Sequence, residues 1–208
     1  MRTARALVGA AALAATLALL PAGRADAALL DVTVAGADGR PLPNAVVYLE
    51  SAAAAAAAAA ALRSASPHEI AQEGKQFLPQ VSVVSVGTAV RFPNRDTVRH
   101  HVYSFSPAKT FELKLYIGTP PTSVAFDQPG LVVLGCNIHD AMVAWMLVVP
   151  TPYHAVSGPD GHARIELPAG SYSLRSWHNG LPPQTLPLSQ AVQVPASGAR
   201  VGARLPVT

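Results

Sequence analysis

Leu131-Val132-Val133-Leu134-Gly135-Cys136-Asn137-Ile138-His139-Asp140-Ala141-Met142-Val143-Ala144-Trp145-Met146-Leu147-Val148-Val149 is the stretch on which the reading of this chain turns. Short apolar runs at 131–134 and 144–149 have the length and the β-branched content of buried strands. Between them lie a thiol, an imidazole and a thioether within seven residues. Cys136, His139 and Met142 therefore share one tight loop between two core strands.

The surrounding chain has the same texture. Residues 81–86, then 88–92 after Gly87, then 101–105 and 124–126 are further β-branched or aromatic runs separated by Gly and Pro signals. Even spacing with turn chemistry between short strands predicts an all-β sandwich. The turn signal Gly158-Pro159-Asp160-Gly161 opens a second set of strands at 163–167, 171–177 and 191–194. Near the other end, 30–34 and 45–49 read as strands around the turn Ala37-Asp38-Gly39-Arg40. The alanine tract 52–61 has the best helix propensity of any residue type, and Ser51 is placed to cap it. The tract carries no polar face, so it reads as a linker. No internal repeat is visible.

The first residues read as an export signal. Arg2 and Arg5 precede an apolar run at 6–20, Pro21 breaks it, and Ala25-Asp26-Ala27 gives the small-x-small cleavage pattern. The run falls short of the ~20 strongly apolar residues of a membrane span. No cysteine lies near the cleavage point to carry a lipid. The +3 net charge rests largely on Arg2, Arg5 and Arg24 of this leader, so the mature chain has no electrostatic case for nucleic acid or an anionic membrane.

Export makes the single cysteine informative. Cys136 is the only one in the chain and cannot form an internal disulfide in an oxidising compartment. A buried small hydrophobe is the plain reading of a lone Cys, but its neighbours suggest metal. Upstream, His100-His101-Val102 opens another strand. One of these two imidazoles, with Cys136, His139 and Met142, supplies the two His, one Cys and weak axial Met of an electron-transfer copper site. Cu(I) prefers soft, low-coordinate ligands and Cu(II) prefers tetragonal nitrogen and oxygen. A trigonal His-His-Cys plane with a long thioether contact suits both, so little rearrangement accompanies the electron. Ligation also keeps the thiolate occupied outside the cell. Because adjacent strand residues face opposite ways, only one of His100 and His101 can join this ion.

Other readings of the same residues are weaker. Cys-His hydrolysis with Cys136 as nucleophile leaves Met142 without a role. Structural zinc sites are usually closed sets of four ligands without Met. His68, His154, His162 and His178 are scattered in loop surroundings and read as surface or polar core residues. Met146, Trp145 and Trp177 read as packing residues.

At these positions the chain resembles the cupredoxins. Cys136-x-x-His139-x-x-Met142 after a strand, with a His at an upstream strand start, is the pattern of plastocyanin and amicyanin. The loop spacing is that of amicyanin. Phe92-Pro93-Asn94, the stretch 100–106, Leu134-Gly135-Cys136-Asn137-Ile138-His139-Asp140 and Thr151-Pro152-Tyr153 resemble the methylamine utilization type of plastocyanin-like protein. The copper likeness covers about residues 70–150. Matching the family's His-Asn-Val as His100-His101-Val102 implies His100 as ligand, with His101 where the family carries Asn; His101 as ligand stays open. The likeness further implies an apolar rim of Ile138, Ala141 and Met142 for a redox partner, with His139 as the exposed exit for the electron.

A second likeness involves 32–49 and 158–177, including Leu167-Pro168-Ala169-Gly170-Ser171-Tyr172. It is to carboxypeptidase-regulatory-like or transthyretin-like β-sandwiches. The expected organisation is a signal peptide at 1–27, the first strands of a small β-sandwich at 28–50, an Ala-rich linker at 51–67, a cupredoxin Greek-key copper domain at 68–150, and the remaining strands of the small sandwich at 151–208. The expected function is a periplasmic blue-copper protein without enzymatic turnover. It would bind one mononuclear copper through His100, Cys136, His139 and Met142 and carry single electrons between donor and acceptor proteins. A non-redox, copper-handling β module is the alternative.

Overall fold

The computed structural model describes residues 27–62 and 67–208, so all of the expected 1–27 leader except Ala27, which opens β1, lies outside the described residues. The chain is all-β apart from one helix among those residues. It begins with β1 (Ala27–Ala35) and β2 (Val46–Glu50), followed by helix α1 (Ala52–Leu62). Short strands β3 (His68–Glu69), β4 (Ala71–Glu73) and β5 (Gln76–Leu78) lead into β6 (Val81–Ser85) and β7 (Thr88–Arg91). Longer strands follow: β8 (His100–Ser106), β9 (Lys109–Tyr116), β10 (Val124–Phe126), β11 (Gly130–Gly135) and β12 (Val143–Val149). The chain ends in β13 (His154–Val156), β14 (His162–Pro168), β15 (Gly170–Trp177), β16 (Leu188–Val194) and β17 (Ala199–Arg204).

Apart from the two-stranded β4-β5 hairpin, these strands form two sandwiches. In the first, a five-stranded sheet ordered β6-β12-β11-β8-β9 shares a core with a three-stranded sheet ordered β10-β7-β3. Phe77, Phe92, Phe126, Ile70, Leu134, Met142 and Met146 are its largest fully buried side chains. In the second, a three-stranded sheet β14-β1-β17 and a four-stranded sheet β13-β2-β15-β16 close over Leu30, Leu49, Leu167, Leu174 and Leu205. Period-two alternation explains β1: Leu30, Val32 and Val34 face in, while Leu29 and Thr33 face out.

Two connections fix how the sandwiches sit together. The chain leaves the second sandwich after β2 and returns at β13, and these two strands are antiparallel neighbours, Val46 opposite Val156. The outgoing link contains α1, capped where the Ala54 amide donates to Ser51 Oγ at 3.0 Å. The return needs only residues 150–153. The sheet carrying β6 and β12 is moreover buried on both faces. Val84, Met146 and Val148 belong to the first core, while Val81, Val83, Leu147 and Val149 belong to the second.

The turn at residues 158–161 is held by its glycines. Gly161 has φ +75°, its amide donates to Gly158 O at 2.9 Å, and a Cβ there would lie 2.6 Å from Val34 O. Gly161→Ala is therefore expected to cost about 1–3 kcal/mol through backbone strain and that clash, read as a lower urea midpoint with an unchanged m-value.

Candidate metal centre

His100 opens β8, and Cys136 follows directly on the last residue of β11. The antiparallel β8–β11 contact, Gly135 opposite Tyr103, brings the two strand ends together. Donor atoms of His100, Cys136 and His139 all lie within 4.8 Å of one another. His100 is fully buried, Cys136 is 3% exposed and His139 is half-buried. The two imidazole centroids are 4.9 Å apart with planes at 61°. Met142 is buried in the same apolar cluster as Cys136, and its amide donates to His139 O at 2.8 Å, which tightens the loop.

His101 is not part of this group. Its ring packs on Tyr103 with centroids 5.5 Å apart, and Nε2 lies 2.9 Å from Glu112 Oε1. That approach is an ion-pair distance without hydrogen-bond alignment, and both ring nitrogens are buried without a hydrogen bond. Strand alternation explains the separation of the two neighbours.

The local sequence holds the site in several ways. Gly135 is closely covered: a Cβ would stand 2.8 Å from Tyr103 Cζ, so any side chain there would have to displace the Tyr103 ring. Asn94 ties the loop before His100: Nδ2 donates to Val98 O and Tyr116 O at 2.8 and 2.7 Å, and Oδ1 accepts from the Asp96 amide at 3.0 Å. Tyr116 OH donates to Phe92 O at 2.6 Å and accepts from buried Gln72 Nε2. Burial, with Cys136 nearby, pushes the Tyr116 phenol up to about 12, so a neutral hydroxyl stands near the thiol. Asp96 Oδ2 is 2.7 Å from His100 Nε2. The Lys75 amide, then His100 and the Gly74 amide, hold the Asp96 carboxyl below the usual carboxylate range.

Two atoms define the chemistry. His100 Nδ1 and His139 Nδ1 are buried without any hydrogen-bond partner. Buried polar groups are paired in the great majority of cases, so two imidazole nitrogens without a protein partner beside a buried thiol form a donor set that fits a metal ion. Two imidazoles and a thiolate suit copper or zinc rather than the hard, oxygen-seeking cations. The thiol is almost wholly enclosed, which leaves little room for a substrate to reach it as a nucleophile.

Other expectations sort as follows. Ile138 is 47% exposed and Ala141 is exposed, but Met142 is 1% exposed and so contributes nothing to an outer rim. Its side chain belongs to the same buried cluster as Cys136 instead. His154 is pushed down to about 4 by burial, with His68 nearby adding to it, and its Nε2 lies 3.2 Å from Ser85 Oγ. His162 pairs with Asp31 at 2.8 Å, and His178 lies against Pro43 O at 3.2 Å. None of these four joins the group of His100, Cys136 and His139. Trp177 is buried in the second core, and Trp145 packs against it. Among the described residues no helix is long and apolar enough to cross a membrane.

No family model matches the chain, and no curated protein matches it. Several solved structures are similar to part of it. A copper-containing nitrite reductase from Thermus scotoductus is 25% identical over 40% of this chain, with a TM-score of 0.38. The match spans only 22% of that enzyme. A purple cupredoxin from Nitrosopumilus maritimus is 20% identical over 39% of this chain and 99% of its own length, with a TM-score of 0.35. Amicyanin from Paracoccus versutus is 15% identical over 41% of this chain and 83% of its own, also at 0.35.

Proposed function

We propose that this chain is an exported cupredoxin of the methylamine utilization type. It holds one copper ion between His100, Cys136, His139 and Met142 and carries single electrons between periplasmic donor and acceptor proteins, without turning over a substrate. The observation that carries this reading is the pair of partnerless Nδ1 atoms flanking a buried thiol. Copper bound there would supply a one-electron couple. The chain's own residues do the rest. Gly135 and Tyr103 fix the strand end before Cys136, Asn94 fixes the approach to His100, and the hydrogen bond from Met142 to His139 closes the loop. A scaffold that resists movement suits a centre that must accept two oxidation states with little rearrangement. His139, half-buried beside exposed Ile138 and Ala141, is the member of the trio open to a docking partner.

The test is to add Cu(II) to the mature chain and record visible and electron-paramagnetic spectra beside a Cys136→Ser variant. One equivalent is expected to give an intense thiolate-to-copper absorption that the variant lacks. A colourless wild type, or the same spectrum in both proteins, overturns the proposal. Tight but colourless copper binding would favour a non-redox copper-handling module.

A further inference from the structure

We infer that Asp96, clamped by the turn between β4 and β5, is a positioning residue that sets which nitrogen of His100 faces the metal centre. The inference rests on the copper reading but is carried by separate contacts. The turn residues Gly74 and Lys75 both have positive φ, +62° and +58°, the conformation of a two-residue type I′ hairpin loop. Both of their amides converge on one carboxylate. Gly74 donates to Asp96 Oδ1 at 2.7 Å and Lys75 donates to Oδ2 at 2.9 Å. A non-glycine residue at positive φ is strained and persists only where its surroundings hold it; at Lys75 the amide-carboxylate bond is such a restraint.

The consequence follows from donor and acceptor counting. A carboxylate that accepts from two amides is an acceptor toward its third neighbour as well. His100 Nε2, 2.7 Å from Asp96 Oδ2, must therefore carry the ring proton. In a neutral imidazole this leaves Nδ1 bare, and Nδ1 is the buried atom without a partner. The lone pair is thus aimed before any metal arrives. Outer carboxylates that fix an imidazole in this way typically change metal affinity 10- to 100-fold when removed.

The experiment uses the metal-free mature chain, labelled with nitrogen-15. Long-range proton–nitrogen spectra of the His100 ring should show Nε2 protonated and Nδ1 bare. In Asp96→Asn the single amide oxygen can accept from at most two of the three donors, Gly74, Lys75 and the ring, so the hold on Nε2–H weakens and the Nδ1-protonated form is expected to appear. Cu(I) affinity, by competition with a chelator, should then fall about 10- to 100-fold. Lys75→Gly keeps both turn amides and should preserve tautomer and affinity. A wild-type ring protonated on Nδ1 overturns the inference even if Asp96→Asn does not fold. So does a variant with the wild-type tautomer and an affinity within about twofold. Failure of the copper reading looks different: the tautomers come out as expected, yet the wild type stays colourless with copper.

Discussion

His100→Ala is expected to abolish the thiolate-to-copper absorption and to weaken copper binding by more than the ~100-fold that loss of an outer partner costs, while His101→Ala leaves both intact. His100 is wholly buried, and removing its ring deletes one of three converging donors and leaves Asp96 with its two turn amides alone. His101 lies on the opposite face of β8, against Tyr103 and Glu112. Its truncation loses a buried ring and its contact with Tyr103, a cost to stability that leaves the donor set in place. Circular dichroism of both apo variants separates a lost ligand from a lost fold. A colourless His101→Ala beside a blue His100→Ala would reverse the assignment.

Leu147→Ala should destabilise the protein by about 2–5 kcal/mol, as large-to-small changes at full burial do, and both sandwiches should fail together. Leu147 is 4% exposed in the second core, while Met146 and Val148 on either side of it are in the first. A strand buried on both faces cannot melt out of one core and stay in the other. The measurement is chemical unfolding of the metal-free chain followed by two probes, far-ultraviolet dichroism and reactivity of the buried Cys136 thiol. Their midpoints should coincide and shift equally in the variant. Two separated transitions, with the thiol protected through the first, would show independent units.

Much of this architecture was legible because the core strands are rich in β-branched residues. The sequence pattern gives Val124–Phe126 its observed bounds and the strands flanking the Cys136 loop theirs to within one residue. β9 escaped notice because Lys109, Glu112 and Lys114 dilute its apolar character, although Phe111, Leu113 and Leu115 alternate with polar residues as a half-exposed strand requires. β17, with two arginines and a glycine in six residues, hid for the same reason. At the site, the local spacing of Cys136, His139 and Met142 was visible in sequence, and strand alternation allowed only one of His100 and His101. The inward turn of Met142 was not visible, since a loop residue's direction depends on the packing around it. Asp96, Tyr116 and Gln72 were also out of reach. Asp96 meets Gly74 and Lys75 from more than twenty residues away, and no local pattern reports such a pairing.

The two crossings between the sandwiches are unequal, and the inequality has a bearing on how this protein can vary. Four residues turn the corner from β12 into β13, and the sheet of β6 and β12 bridges both cores. Together these set the pose of the centre around Cys136. The alanine helix on the other crossing is exposed or half-buried, with Ala54 the one fully buried side chain among its described residues. Lengthening or shortening that run by a few alanines should leave His100 where it is, so its size is free to drift while the short corner is not.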